Sequence, residues 1–210
     1  RVQARHFEEN QQGYYEALMA VDDSVGRVLD YLDEKGTAEN TLVVYAGDNG
    51  YFWGEHGLID KRYAYEESIR IPHLLRYPRM ISDGGRKVDE MVLNIDLAPT
   101  LLAAAGLGGL PSPDGVNYLP LCTGAGGGDW RQSWLYEYFF DIGLPHPRMM
   151  AVRTKDWKYI AYKPEYSTGH DFPDEMYNLA EDPRERNNLL LEGDYREKAA
   201  ELREIGRAHV

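Results

Sequence analysis

The run Thr41-Leu42-Val43-Val44-Tyr45-Ala46-Gly47, followed at once by Asp48-Asn49-Gly50, decides how the rest of the chain is read. Its residues are β-rich and apolar at odd and even positions alike, the pattern of a strand buried on both faces in a parallel sheet. Upstream, Leu18, Val21, Val25, Val28, Leu29 and Leu32 recur at three- and four-residue intervals between Tyr14 and Lys35. That spacing predicts an amphipathic helix stopped at Gly36. A helix feeding a buried strand predicts an α/β fold, in which loops at the carboxyl ends of strands converge on a ligand-binding crevice. Asp48, Asn49 and Gly50 stand at that end.

Working outward, Asp48 to Arg62 reads as a long glycine-bearing loop, and Ile71 to Tyr77 as a short strand ending at Pro78. Asn94 to Ala105 predicts a helix with Asp96 near its start and Gly106 closing it. Gly, Pro and Ser crowd 106–128, the composition of a linker. Beyond it, Ser133–Phe140, Met149–Thr154, Trp157–Tyr162 and Glu175–Leu179 predict short strands, followed by a helix from Tyr195 to Glu204. The expected class is therefore α/β: a partial mixed sheet sandwiched by helices over 1–120, then a small carboxy-terminal antiparallel sheet subdomain with a helix over 121–204. The last six residues, 205–210, are expected to be a non-native tail with no function.

The chain has 210 residues, 23 Lys plus Arg against 35 Asp plus Glu, and a net charge of −12. So acidic a balance argues against a partner whose affinity rests on a phosphate backbone, so no nucleic acid is expected. The longest apolar runs, such as Leu101 to Leu107, fall far short of the roughly 20 residues a membrane-spanning helix needs. A single cysteine, Cys122, excludes an internal disulfide and a multi-cysteine zinc site.

Within the loop, the Asp48 carboxylate beside the Asn49 carboxamide offers two hard oxygen donors, suited to Ca²⁺ or Mg²⁺. Glu55, His56 and Lys61 follow in the same loop. An ammonium group near a divalent cation makes chemical sense when an anion lies between them. Taken singly, each has a simpler reading: Asp-Asn-Gly as a turn with side-chain to backbone hydrogen bonds, His56 and Lys61 as solvated surface residues. Asp22 and Asp23 form a second acidic pair, read as the solvated face of the helix.

Read as one string, TLVVYAGDNGYFWGEHGLIDKRYAYEESIRIPHLLRYP (Thr41–Pro78) resembles the sulfatase family of the alkaline phosphatase superfamily. YYEALMAVDDSVGRVLDYL, NIDLAPTLLAAAG, AVRTKDWKYI and EMYNLAEDPRERNNL extend the resemblance over nearly all of residues 13–204. It implies an alkaline phosphatase-like fold, with 1–120 the carboxy-terminal portion of the catalytic domain. It also implies that Asp48 and Asn49 are ligands of an active-site Ca²⁺, with Mg²⁺ an alternative, and that Lys61 binds a sulfate oxygen. His56 matches the family's loop histidine, a catalytic candidate that orients Lys61 or the substrate, or fixes the loop. The family's nucleophile, a formylglycine made in a Cys-x-Pro-x-Arg type motif, has no counterpart here, since Cys122 in LPLCTGAGG lacks the Pro and Arg. The chain is therefore expected to be a carboxy-terminal fragment, inactive alone, with the formylglycine in the missing amino-terminal part.

The wording is closest to bacterial glycan sulfatases, N-acetylglucosamine-6-sulfatase-like and iduronate or heparan sulfatase-like, which implies a sulfated carbohydrate substrate. His146 and Arg148, in GLPHPRMMAVRT, are candidate substrate contacts, because an Arg fork suits sulfate or uronate. The alternatives are a phosphonate or phosphate monoester hydrolase or choline-sulfatase-like member of the superfamily, and a non-catalytic sulfated-glycan-binding module. A periplasmic or secreted location is implied by the resemblance alone.

Overall fold

The computed structural model describes residues 2–82, 84–126, 128–139, 147–163 and 172–209. Helix α1 spans Val2–Glu34, a start well before the expected Tyr14. Residues 2–12 carry no apolar period to announce a helix, yet Gln, Ala, Arg and Glu are good helix formers and no Pro or Gly intervenes before Gly13. Gly36, at φ +65°, ends the helix as expected.

Strand β1 (Val43–Ala46) follows. Then come a hairpin of β2 (Phe52–Trp53) and β3 (Ile59–Asp60), a single-turn helix α2 (Glu66–Ile69) and β4 (His73–Arg76). β1 pairs with β4 antiparallel, Val43 opposite Arg76 and Ala46 opposite His73. The expectation of a fully buried parallel strand is thereby corrected. β4 is its only strand partner among the described residues, so β1 stays half-buried. For the same reason the apolar face of α1 is open, with Leu18 38%, Val21 41% and Val28 55% exposed.

A 3₁₀ turn at Asn94–Asp96 runs into α3 (Leu97–Ala104), close to the expected helix. Segment 106–128 is not the linker its composition suggests: it carries α4 (Leu119–Thr123), which spans the boundary expected at 120/121. Asp96 is the reason this stretch packs. It is wholly buried, and its carboxylate accepts the Leu93 and Val116 amides at 2.7 Å each and both arms of the Arg131 guanidinium. The Thr100 hydroxyl adds a bond from the Tyr118 amide at 3.0 Å, seating Tyr118, Leu121 and Trp130 in a small core.

The four predicted strands form one antiparallel sheet in the order β5 (Ser133–Tyr138), β6 (Met149–Thr154), β7 (Trp157–Tyr162), β8 (Glu175–Asn178). Alternation divides its two faces. Val152, Tyr159 and Met176 meet Ala199 and Leu202 of α5 (Arg196–Ala208). Met149, Ala151, Ile160, Tyr162 and Tyr177 meet Phe52, Ala64 and Tyr65 of the hairpin segment. The sheet is thus a plate with a helix on one side and the Asp48–Ile69 segment on the other. α5 runs on past the expected end at Glu204, and Ile205 packs against the helix-side core.

Candidate functional site

The β2–β3 hairpin brings the two halves of the loop together. Phe52 is paired with Asp60, so the same register carried one residue outward sets Tyr51 beside Lys61. Asp48, Asn49 and Lys61 all line one open cleft of about 1760 Å³, bounded by α1, β1, β4 and α2. Asp48 and Lys61 are exposed, and neither has a side-chain partner among the described residues. An unpaired carboxylate and an unpaired ammonium facing one cleft are what a charged ligand would need.

Asn49 turns its amide nitrogen inward, donating to the Gly50 carbonyl at 2.8 Å, which leaves the side-chain oxygen for a ligand. Asp48 and Asn49 thus offer two hard oxygens, the donor type of a Ca²⁺ or Mg²⁺ shell, but fewer than the six to eight that Ca²⁺ takes. Among the described residues no cluster of three or more His, Cys, Asp or Glu forms. The pair fits part of such a site.

His56 is differently placed. Its backbone is left-handed, at φ 55°, and its ring lies flat on Tyr65 with centroids 3.9 Å apart and planes 6° apart. Nε2 is 3.4 Å from a Glu67 carboxylate oxygen, close enough for an ion pair but without hydrogen-bond alignment. Its side chain is 14% exposed, wedged between Tyr65 and Phe52. Behind it, Glu175 accepts from the hydroxyls of Tyr65 and Tyr177 at 2.8 Å and of Tyr162 at 3.2 Å. Burial, and then the Glu175 charge, pushes all three phenols well above their ordinary range, so they stay protonated and keep donating.

Under α2 lies a group of charges that the sequence reading missed. Lys158 is wholly buried, with Nζ 2.8 Å from Glu66 and 2.7 Å from Glu185, although the angles are poor for hydrogen bonds. Arg153 reaches Glu66 at 3.1 Å. Burial alone would lift the Glu66 carboxyl, but Lys158 and Arg153 outweigh it and hold it at about 2. Glu185 has no arginine partner among the described residues, and desolvation pushes its carboxyl up. The missed signal was parity: Lys158 shares its face of β7 with Ile160 and Tyr162, and a lysine at an inward position demands a counter-charge.

Of the remaining candidates, His146 lies outside the described residues. Arg148 is half-buried just before β6, its carbonyl accepting the Lys163 amide at 2.9 Å. Cys122 packs against the Tyr118 core, and burial raises its thiol although Arg86 opposes this, so it is poorly suited to be a nucleophile. Asp22 and Asp23 are both exposed on α1, as read.

Residues 54–207 match the family described as "N-sulphoglucosamine sulphohydrolase, C-terminal". An N-acetylglucosamine-6-O-sulfatase of Bacteroides thetaiotaomicron is 35% identical over 95% of this chain. A solved structure of a protein in complex with its substrate D-glucosamine-2-N,6-O-disulfate superposes with a TM-score of 0.82, at 35% identity, over 91% of this chain and 38% of its own. The phosphonate monoester hydrolase of Agrobacterium radiobacter superposes with a TM-score of 0.77, at 26% identity, over 90% of this chain and 40% of its own. The chain spans only about 35% of the length of the Bacteroides sulfatase.

Proposed function

Because the chain belongs to the sulfatase family, within its carboxy-terminal region, we propose that it forms one wall of the active site of a glycan sulfatase, a sulfuric ester hydrolase. The observation that carries this reading is the shared cleft of Asp48, Asn49 and Lys61, with Asp48 and Lys61 unpaired among the described residues. Asp48 and Asn49 would hold a divalent cation, Ca²⁺ in the first instance. Bound there, the cation supplies positive charge that offsets the negative oxygens of a transferring sulfuryl group.

Lys61 is the cationic group that this wall aims at the sulfate. Its ammonium group donates hydrogen bonds to a sulfate oxygen and offsets charge that builds in the transition state. Its chain position, directly after β3, fixes its backbone, while the side chain stays free to meet the ligand. His56, stacked beneath Tyr65, acts by fixing the loop; its ring is held too firmly to shuttle toward the cleft. The nucleophile, a formylglycine, belongs to the part of the parent protein that this chain does not span. The substrate class is a sulfated amino sugar, with His146 and Arg148 as contacts to its sulfate or a neighbouring uronate. In the parent protein, export to the periplasm or the medium fits the substrate.

The test is turnover by the full-length protein of N-acetylglucosamine-6-sulfate against a phosphonate monoester, with Lys61→Ala as control. Preference for the sulfate ester, lost in Lys61→Ala, supports the proposal. The likeness to a phosphonate monoester hydrolase favours a second reading, which a reversed preference would establish. Binding of the sulfated sugar without turnover would establish a non-catalytic module instead.

A further inference from the structure

Ser68 touches both halves of the proposed site. Its carbonyl accepts the Gly50 N–H at 2.7 Å, and its hydroxyl donates to the Lys61 carbonyl, also at 2.7 Å. Gly50 follows directly on Asp48 and Asn49, so one residue, 3% exposed, ties the oxygen-donor turn to the cationic residue at the far end of the hairpin. The approach is so close that a Cβ at Gly50 would overlap the Glu67 carbonyl oxygen. Only glycine lets the turn lie against α2.

A helix of four residues has almost no stability of its own, so α2 must be held from outside. The hold comes from far along the chain. Glu185 accepts the Glu66 N–H at 2.7 Å, and Lys158 bridges the two carboxylates from beneath. Lys158 and Glu185 are wholly buried, and no step assigned to the sulfate site uses them.

We infer that Ser68 is a positioning residue of the sulfate site, and that the buried triad of Lys158, Glu185 and Glu66 is the anchor that holds it. The inference rests on the sulfatase reading of the cleft. A long lysine side chain can rotate, so what sets its reach is where its backbone stands relative to the Asp48–Asn49 turn. Ser68 fixes that relation from both sides. Because Lys61 acts on charge that develops during the reaction, a small shift of its backbone lowers turnover more than ground-state binding. A misplacement of an ångström at a reacting centre costs on the order of 100-fold.

Two measurements test this. Hydrogen exchange on the 210-residue chain reads the positioning directly. Ser68→Ala, which keeps the Ser68 carbonyl and removes only the hydroxyl bond to Lys61, should speed exchange in 61–65 while leaving the amides of β6 and β7 unchanged, and Lys158→Met, which loosens α2 itself, should speed 48–50 and 61–65 more than the sheet. In the full-length protein, Ser68→Ala should lower kcat for an aryl sulfate by about 10- to 100-fold with KM changed far less. Unaltered exchange in 61–65, equal acceleration across the sheet, or an intact kcat overturns the inference. Lys61→Ala separates the two layers of argument. If it too leaves kcat intact, the sulfate site is misassigned; if it alone lowers kcat, the site stands and the role of Ser68 does not.

Discussion

Glu185 accepts the backbone N–H of Glu66 at 2.7 Å across a separation of 119 residues, so the loop after β8 caps the turn beneath the cleft. Removing Lys158 from the ion triad around this bond leaves the buried Glu185 carboxyl without its cation, while Glu66 keeps Arg153. Lys158→Met should therefore destabilise the chain by about 3–5 kcal/mol, read as a lowered urea midpoint at unchanged slope. A loss below about 1 kcal/mol, the range of exposed pairs, would mean that water reaches the group.

The same triad sets a response to acid. The Glu66 carboxyl sits at about 2 in the folded chain against an ordinary 4.5, so its contribution is complete above 4.5 and is lost as pH falls toward 2. A difference of that size corresponds to about 3 kcal/mol. Glu185 works in the opposite sense: burial lifts its carboxyl, and its contribution falls as pH rises through that raised value. Urea titrations between pH 5 and 2 should show a steep loss in the parent chain and a shallower one in Glu66→Gln. Equal slopes would remove Glu66 from the account.

Lys61 and Lys155 are both exposed lysines, but only Lys61 lines the cleft. In the full-length protein, Lys61→Ala should cost on the order of 100- to 1000-fold in kcat, and Lys155→Ala, in the turn before β7, should leave it unchanged. Asp48→Ala should abolish turnover without rescue by added Ca²⁺, because charge and geometry are lost together. Steady-state kinetics across a Ca²⁺ series decides both.

Two glycines predict opposite outcomes for one substitution. Gly26 lies within α1 with open space around it, so Gly26→Ala should stabilise by about 0.5–1 kcal/mol. Gly50→Ala meets the Glu67 carbonyl and should displace the Asp48–Asn49 turn. Thermal melts show the first; loss of turnover in the full-length protein, beyond what the melt explains, shows the second.

Legibility in the sequence followed the range of the forces involved. β6 and β7 have the bounds that alternation between turn signals predicts, and Asp48, Asn49 and Lys61 share a cleft because a strand end and a hairpin are local devices. Segment 106–128 misled because Gly, Pro and Ser describe flexibility of the free chain, whereas the buried Asp96 carboxylate gathers that segment through bonds to Val116 and Arg131. The amino-terminal turns of α1 were silent because polar helix formers carry no period. Lys158 signalled itself only by its inward parity on β7; that its partners are Glu66 and Glu185, far off on either side along the chain, no local pattern encodes.

The bare apolar stripe of α1 has a consequence for how this chain behaves as a colloid. Leu18, Val21, Val28 and Tyr31 are each between 38% and 57% exposed. At neutral pH a net charge of −12 keeps copies apart despite the stripe. Near pH 4.9 that repulsion vanishes while the stripe remains, so the chain should cloud and precipitate there, and salt that screens charge should widen the range of pH over which it does.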